Sequence, residues 1–209
     1  MTETSYLKFE DFLPPSRPLL IVLSGPSAAG KDAVLTEMKK KGLPLEYVVT
    51  VTTRHQRAGE KDGIDYHFVS AEEFNRMVDG GEFLEWASVY GNNYGVPRQA
   101  VKGALDEGRD VLIKVDVKGA ATVRRLVPQA VLVFLVPPSF EELEQRLRER
   151  KIEAGYDLRF KAVMEELKQI SIFDYVVTNR RGEIERAIQD IESIIRAEKC
   201  RVISREYHL

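Results

Sequence analysis

Residues 19–31 read LLIVLSGPSAAGK, an apolar run that leads directly into a loop with two glycines. A continuous apolar run of this length that ends at Ser24-Gly25-Pro26 predicts a buried strand followed by a turn. Beyond residue 32 the apolar residues have the spacing of one helix face, and Gly42 and Pro44 follow as signals for the end of a helix. The segment is therefore predicted to form a strand, a glycine loop and a helix.

The alternation of strands and helices continues along the chain. Apolar runs at residues 111–117 and 130–136 each adjoin segments with helical spacing. Such alternation predicts a parallel sheet covered on both faces, so we expect an α/β fold, a three-layer α/β/α sandwich. Two segments interrupt it. Residues 47–95 contain short β-rich pieces that predict a small α+β insert, and residues 141–161 carry a dense group of basic side chains.

The composition bounds the class of protein. The chain has 209 residues, of which 44% are hydrophobic and 31% charged, with a formal net charge of -2. These values exclude a disordered chain and give no indication of a nucleic-acid or membrane partner. Cys200 is the single cysteine and there are three histidines, so any metal should be held by oxygen. Because the first fifteen residues lack a secretory pattern and the apolar runs are too short to cross a bilayer, we predict a cytoplasmic protein.

The loop matches the pattern G-x-x-x-x-G-K, which binds polyphosphates when it lies between a strand and a helix. Its residues are Gly25, Pro26, Ser27, Ala28, Ala29, Gly30 and Lys31. Backbone N–H groups of such a loop surround the β-phosphate, the helix N-terminus adds partial positive charge, and the lysine reaches the β- and γ-phosphates. We therefore predict a polyphosphate-binding site. Ala28 stands where glycine is commoner, so its φ is expected to be negative.

The residue after the lysine departs from the pattern. The motif has Ser or Thr there, whose hydroxyl ligates Mg²⁺, whereas this chain has Asp32. A carboxylate is also an oxygen ligand, so Asp32 could hold Mg²⁺ directly or through a water. Alternatively, Asp32 stabilises the first turn of the helix through the helix dipole. The motif thus predicts Mg²⁺ as cofactor, bound together with the polyphosphate.

Three further segments resemble the guanylate kinase family. Residues 52–68 read TTRHQRAGEKDGIDYHF and match the family pattern T-[ST]-R-x-x-[KR]-x-x-[DE]-x-x-G-x-x-Y-x-[FY] at every defined position. Residues 82–87 (EFLEWA) and 91–95 (GNNYG) are also similar to family segments. The resemblance covers residues 19–197 and implies transfer of the γ-phosphoryl group of Mg·ATP to GMP, giving ADP and GDP.

The resemblance also implies roles for individual residues. Those implied to hold the GMP phosphate are Arg54, Arg57, Tyr66 and Tyr94. Those implied to face the guanine are Thr50, Glu85 and Asp116. The chemistry suits these roles, because two arginine forks and phenolic hydroxyls bind a dianionic phosphate, and a carboxylate accepts from guanine N1–H and N2–H₂ together. Phe83 and Trp86 are expected to belong to the core of the insert.

Two positions depart from the family. Val96 stands where the family usually offers Ser or Thr to the base, so one guanine contact is predicted to be lost. Lys114 stands where the family often has an acid, two residues before Asp116. It could pair with Asp32, bind an ATP phosphate, or be an ordinary lysine at a strand end.

The basic segment resembles the family's arginine-bearing lid, which folds over the triphosphate. The implied lid arginines are Arg146, Arg150 and Arg159, and the interval between the last two is shorter than usual. Arg148 and Lys161 are expected to lie on a solvated helix face. Asn179 matches the family residue near the adenine of ATP.

The resemblance implies a division of the chain into four parts. They are an N-terminal extension at residues 1–18, a P-loop core at 19–48, 95–139 and 163–209, a GMP-binding insert at 49–94, and a helical lid at 140–162. The predicted partners are ATP and GMP, bound by a monomer or homodimer, with no nucleic acid and no membrane. Two alternatives are a ribose 1,5-bisphosphate phosphokinase, whose loop also reads G-K-D, and a non-catalytic guanylate-kinase-like module that binds phosphopeptides.

Overall fold

The computed structural model describes residues 12, 17–89, 91–149, 156–202, 205 and 207, with the backbone alone for residues 156–159. The α-helices of these residues are α1 (Lys31–Lys40), α2 (Ala71–Asp79), α3 (Arg98–Asp106), α4 (Val117–Leu126), α5 (Phe140–Glu149), α6 (Tyr156–Leu167) and α7 (Ile184–Lys199). The strands are β1 (Leu20–Ser24), β2 (Glu46–Tyr47), β3 (Val51–Thr52), β4 (His67–Phe68), β5 (Phe83–Val89), β6 (Asn92–Pro97), β7 (Val111–Lys114), β8 (Val131–Val136) and β9 (Tyr175–Thr178). The predicted strand, loop and helix at the start of the core are thus confirmed.

Five of the described strands form a parallel sheet in the order β2-β7-β1-β8-β9. β1 lies at its centre, with Val22 paired to Ile113 of β7 and to Leu132 of β8. Since the strands are parallel, their carboxyl ends lie at one edge of the sheet, where ligands bind in open α/β folds. The phosphate loop follows β1 and therefore lies at the middle of that edge.

The sheet is covered on both faces by helices. Successive side chains of a strand point to opposite faces. Accordingly, Leu20 and Val22 pack in one hydrophobic cluster with residues of α3 and α4, whereas Ile21 and Leu23 pack in another with residues of α1 and α7. All of β1 is buried, which explains why its sequence is continuously apolar. The predicted three-layer α/β/α sandwich is confirmed.

A second, mixed sheet of four described strands has the order β4-β3-β6-β5. Val51, Phe74 and Phe83 form its separate small core, in which the two phenylalanine rings stack at 4.7 Å between centroids. The Ser70 hydroxyl accepts a hydrogen bond from Glu73 N and so caps α2, which supplies Phe74. These strands and α2 correspond to the segment in which the sequence predicts an insert.

The expectation that Trp86 belongs to the core of the insert is wrong, since 47% of this residue is exposed. In a regular strand Phe83 and Trp86, three residues apart, would point to opposite faces, but the register of β5 is irregular between Phe83 and Glu85. The indole instead meets Phe74 edge-on, at 6.2 Å between centroids. Among the described residues, no helix has both the length and the apolar character to cross a bilayer.

Candidate active site

The phosphate loop requires glycine at two positions. Gly25 and Gly30 have φ values of 145° and 92°, which L-residues rarely adopt. A Cβ at Gly25 would lie 2.1 Å from the backbone oxygen of Leu135, and one at Gly30 would lie 2.3 Å from Nδ2 of Asn179. Gly30 provides no side-chain cap for α1, so the first N–H groups of that helix are suited to an anionic ligand.

Ala28 has a φ of 67°, so the expectation of a negative φ is wrong. This left-handed conformation costs an L-residue about 1–2 kcal/mol. The Ala28 methyl group is buried, and it packs with Leu143 and Leu147 of α5 and with Val163 of α6. Burial of the methyl group offsets part of the strain and connects the loop to both helices.

The ammonium group of Lys31 turns back onto the loop. Nζ donates to the backbone oxygens of Gly25 at 2.5 Å and Pro26 at 3.1 Å. Burial lowers the pKa of Lys31 to about 8, although the carboxylates of Glu166 and Asp32 raise it. A polyphosphate beside Nζ would favour its charged form and restore a higher pKa.

Glu166 of α6 places a carboxylate on the loop, a contact that the sequence analysis missed. Its Oε2 accepts a hydrogen bond from the backbone N of Ser27 at 3.1 Å. Burial raises the pKa of Glu166, against the opposing influence of the Ser27 N–H group and Lys31. The carboxylate thus uses an N–H group of the kind that holds phosphate in such loops.

Arg146 and Asn179 approach the loop from the other side. Nδ2 of the buried Asn179 donates to the backbone oxygen of Ala29 at 2.9 Å. Arg146 donates to the same Ala29 oxygen at 3.3 Å and to the backbone oxygen of Asn179 at 2.8 Å, and it also pairs with Glu142. Both side chains therefore buttress the loop. The predicted lid residue Arg150 and the side chain of Arg159 lie outside the described part of the chain.

Lys114 ends β7 and lies between α1 and the second sheet. Its Nζ donates to Oδ1 of Asp32 at 2.5 Å and to the hydroxyl of Tyr66 at 2.9 Å. The position follows from the parallel register, because Lys114 pairs with Leu23 of β1 at the edge that carries the phosphate loop. Of the three alternatives that the sequence leaves open, pairing with Asp32 is the one present in the structure.

A cavity of about 1000 Å³ extends from the phosphate loop to the second sheet. Every residue predicted to bind GMP contributes to its wall, namely Thr50, Arg54, Arg57, Tyr66, Glu85, Tyr94 and Asp116. The loop residues Gly25 and 27–31 and the adjacent Asp32 line it as well, whereas Pro26, Arg146 and Asn179 do not. The fold thus brings the two predicted substrate sites into one space.

We call the part of the cavity lined by the residues predicted to bind GMP, the phosphate acceptor, the acceptor wall. Arg54 makes several contacts within it. Its guanidinium group donates to both carboxylate oxygens of Glu60, at 2.7 and 3.0 Å, and lies 5.2 Å from the centroid of the Tyr66 ring. Glu60 also accepts from the backbone N of Arg57 at 2.8 Å. The Tyr66 and Tyr94 rings meet edge-on at 6.0 Å. Arg54 is therefore held in place before any phosphate arrives.

The inner part of the acceptor wall is acidic. Glu85 is 4% exposed, and its Oε2 is buried with no hydrogen-bond partner among the described residues. Burial, together with the charge of Asp116, raises the pKa of Glu85 to about 8. Asp116 itself accepts from the backbone N of Gly119 and caps α4. Val96 is fully buried in the main core, which accounts for an apolar residue at that position.

The parallel sheet, the phosphate loop at its centre and the facing cavity wall of arginines and tyrosines define a P-loop kinase of a small phosphorylated acceptor. The family model described as guanylate kinase matches residues 17–198. The chain therefore belongs to the guanylate kinase family, as the sequence resemblance predicts, and members of this family are nucleoside monophosphate kinases that use ATP.

Individual relatives agree with the family match. A guanylate kinase of Caldanaerobacter subterraneus subsp. tengcongensis is 45% identical over 88% of this chain and 89% of its own length. Guanylate kinase 2, chloroplastic/mitochondrial, of Oryza sativa subsp. japonica is 42% identical over 96% of this chain and 71% of its own length. The crystal structure of guanylate kinase from Anaplasma phagocytophilum superposes with a TM-score of 0.73 at 34% identity, covering 91% of this chain and 90% of that one.

Proposed function

We propose that this protein transfers the γ-phosphoryl group of Mg·ATP to GMP, giving ADP and GDP, within the cavity between the phosphate loop and the second sheet. The observation that carries the proposal is the buried Glu85 carboxyl group, whose Oε2 lacks a partner among the described residues although it lines the same cavity as Lys31 and Arg54. A buried polar atom without a partner is costly. The N1–H and N2–H₂ groups of guanine would supply the missing donors, whereas adenine has no such pair.

ATP binds at the phosphate loop. The loop N–H groups and the start of α1 surround the β-phosphate, and the Lys31 ammonium group moves from the carbonyl oxygens of the loop to the β- and γ-phosphates. Because Asn179 and Arg146 hold the Ala29 carbonyl, the loop keeps its shape as Lys31 moves. Arg146, with Arg150 and Arg159 as further lid residues, neutralises the triphosphate and excludes water from it.

The residues at the loop fit Mg²⁺ that arrives with ATP. Kinases hold this ion through one or two carboxylates together with phosphates and waters, and the Asp32 side chain, 66% exposed in the first turn of α1, provides such a carboxylate. Among the described residues, no group of three or more His, Cys, Asp or Glu side chains forms a metal site from protein alone. Asp32 would hold the ion directly or through a water. When bound, Mg²⁺ supplies neutralisation of the charge on the phosphoryl group.

GMP binds at the opposite wall. Arg54, Arg57, Tyr66 and Tyr94 hold its phosphate, and Glu85, Thr50 and Asp116 face the base. The attacking phosphate oxygen is already ionised at neutral pH, since the second pKa of a phosphate monoester is about 6. No protein base is therefore needed, and catalysis consists of positioning and charge neutralisation by the residues of the two walls.

The test is ADP release from Mg·ATP by the purified protein with GMP, AMP, CMP, UMP or ribose 1,5-bisphosphate as acceptor. We expect turnover that is selective for GMP. Activity with ribose 1,5-bisphosphate alone would establish the sugar-phosphate alternative. No turnover with any acceptor, despite binding of ATP, would overturn the proposed reaction and favour a binding module.

Several features remain predictions from composition and sequence pattern. They are the cytoplasmic location, the absence of nucleic-acid and membrane partners, and assembly as a monomer or homodimer. The division into core, insert and lid is also a prediction. Most of the predicted extension at residues 1–18 lies outside the described part of the chain.

A further inference from the structure

Lys114 connects the two substrate sites through direct contacts. Its Nζ donates to Asp32, which adjoins the ATP loop, and to Tyr66, which lies on the GMP side of the cavity. The Lys114 side chain is only 14% exposed, whereas that of Asp32 is 66% exposed. Because the Lys114 side chain is the less exposed of the two, its charge depends on the pair more than that of Asp32 does.

The ammonium group retains capacity for a ligand. A lysine has three N–H donors, and among the described residues Asp32 and Tyr66 account for two of them. Nζ also lies 4.7 Å from the centroid of the Tyr66 ring, at the side of the hydroxyl group that it contacts.

The position of Nζ suits an acceptor phosphate. A phosphate oxygen hydrogen-bonded to the Tyr66 hydroxyl would lie about 2.7 Å from it. Since Nζ is 2.9 Å from the same hydroxyl, that phosphate oxygen and Nζ are less than about 6 Å apart, a gap that a rotation in the lysine chain closes. The positive charge of Lys114 lowers the pKa of Lys31. The doubly negative phosphate of GMP would offset that positive charge.

We propose that Lys114 is a further phosphate-binding residue of the reaction, which contacts the phosphate of GMP, with Asp32 as its positioning residue. The inference rests on the proposed function, because it takes a phosphate monoester as the acceptor. It also accounts for two unusual residues together, since Asp32 and Lys114, both of which depart from the expected pattern, are in contact with each other.

The first test compares Lys114→Met and Lys114→Arg with the wild type. Calorimetry with GMP, without ATP or Mg²⁺, measures acceptor binding alone, and steady-state kinetics give KM for GMP and for ATP. We expect Lys114→Met to weaken GMP binding about tenfold, the effect of losing one charged hydrogen bond, with a smaller change in KM for ATP, and Lys114→Arg to restore part of the loss. Lys102→Met on α3, which removes an exposed lysine paired with Asp106, is the matched control and should change neither constant.

A double variant separates phosphate binding from simple neutralisation of Asp32. If Lys114 only neutralises Asp32, removing both charges in Asp32→Ser/Lys114→Met restores GMP binding to the wild-type value. If Lys114 binds the phosphate, the double variant binds GMP as weakly as Lys114→Met does. Thermal unfolding of each variant checks that the fold is retained.

Three results would overturn the inference. They are GMP binding by Lys114→Met within twofold of wild type, an effect on KM for ATP alone, and full recovery in the double variant. A wild-type protein that binds GMP but does not phosphorylate it would overturn the proposed function only, because the calorimetric comparison still decides the role of Lys114. A wild-type protein that does not bind GMP would overturn both.

Discussion

The two walls of the cavity recognise their ligands with different parts of the chain. The donor wall consists of the phosphate loop with Lys31, and Asn179 and Arg146, which do not line the cavity, hold this loop by hydrogen bonds to the Ala29 backbone oxygen. The acceptor wall is built from side chains, of which Glu85 comes from β5 of the second sheet and Arg54 from the segment after β3. Backbone geometry recognises any polyphosphate, whereas side chains select one base. The acceptor can therefore change without rebuilding the donor site.

The largest expected effect tests whether the donor wall works independently of the acceptor wall. Lys31→Met removes the ammonium group that neutralises the transferring phosphoryl group, so kcat should fall by about 10²–10³. GMP binding measured without ATP should stay within about twofold of wild type, since the hydrogen bonds of the Lys31 ammonium group to the described residues go to backbone oxygens of the loop. Loss of GMP binding in this variant would contradict the separation of the two walls.

The second prediction concerns the acceptor wall. Glu85→Gln replaces the carboxylate with an amide that cannot accept from both guanine N–H groups, so the Kd for GMP should rise about 10–100-fold while the Kd for ATP is unchanged. Glu82→Gln, an exposed glutamate in the same segment, is the control and should bind GMP normally. Calorimetry with each nucleotide measures both constants. Weakened ATP binding in Glu85→Gln would show that the walls are coupled.

The third prediction uses the raised pKa of Glu85. With a pKa of about 8 the group is mostly protonated at pH 7, yet guanine requires the carboxylate, so GMP affinity should rise about fivefold from pH 7 to pH 8 and then level off. The GMP phosphate is ionised throughout this range. This dependence of GMP affinity on pH should be absent in Glu85→Gln.

The raised pKa of Glu85 also affects stability. It means that the folded unliganded protein binds more protons than the unfolded chain, so this group lowers the free energy of unfolding as pH rises from about 4.5 to 8.

The smallest expected effect concerns Glu166, which contacts the phosphate loop of the donor wall. Glu166 accepts from Ser27 N and places negative charge where phosphate binds. Glu166→Ala should therefore tighten ATP binding about threefold to fivefold, and Glu166→Gln, which keeps an acceptor but no charge, should have an intermediate effect. Equilibrium titration with ATP measures both. Weaker ATP binding in Glu166→Ala would mean that the carboxylate supports the loop instead of competing with phosphate.

The features predicted correctly from sequence are those set by local pattern. The apolar run of β1, the glycine loop and the start of α1 are contiguous, and their chemistry follows from residue order. The contacts of Glu166 and Asn179 with the loop could not be predicted, because 139 and 150 residues separate the partners and no periodic signal joins them. Lys114 is an intermediate case, since its pairing with Asp32 was one of three alternatives and only the register of β1 and β7 selects it.

Two expectations failed where tertiary packing overrides local preference. Ala28 has a positive φ, and its methyl group packs among the apolar residues of α5 and α6. Trp86 is 47% exposed and meets the core of the insert edge-on at Phe74. In both cases residue type indicated the average behaviour, which the packing of the folded chain does not follow.

Ala28 has a thermodynamic consequence for the loop and for helices α5 and α6. Its methyl group is part of the loop and, at the same time, part of the contact between the two helices. A tilt of either helix must therefore move the loop backbone or break this contact. Helix position and loop conformation thus form a single equilibrium, and a nucleotide that binds one loop conformation more tightly shifts the helices by that difference in affinity.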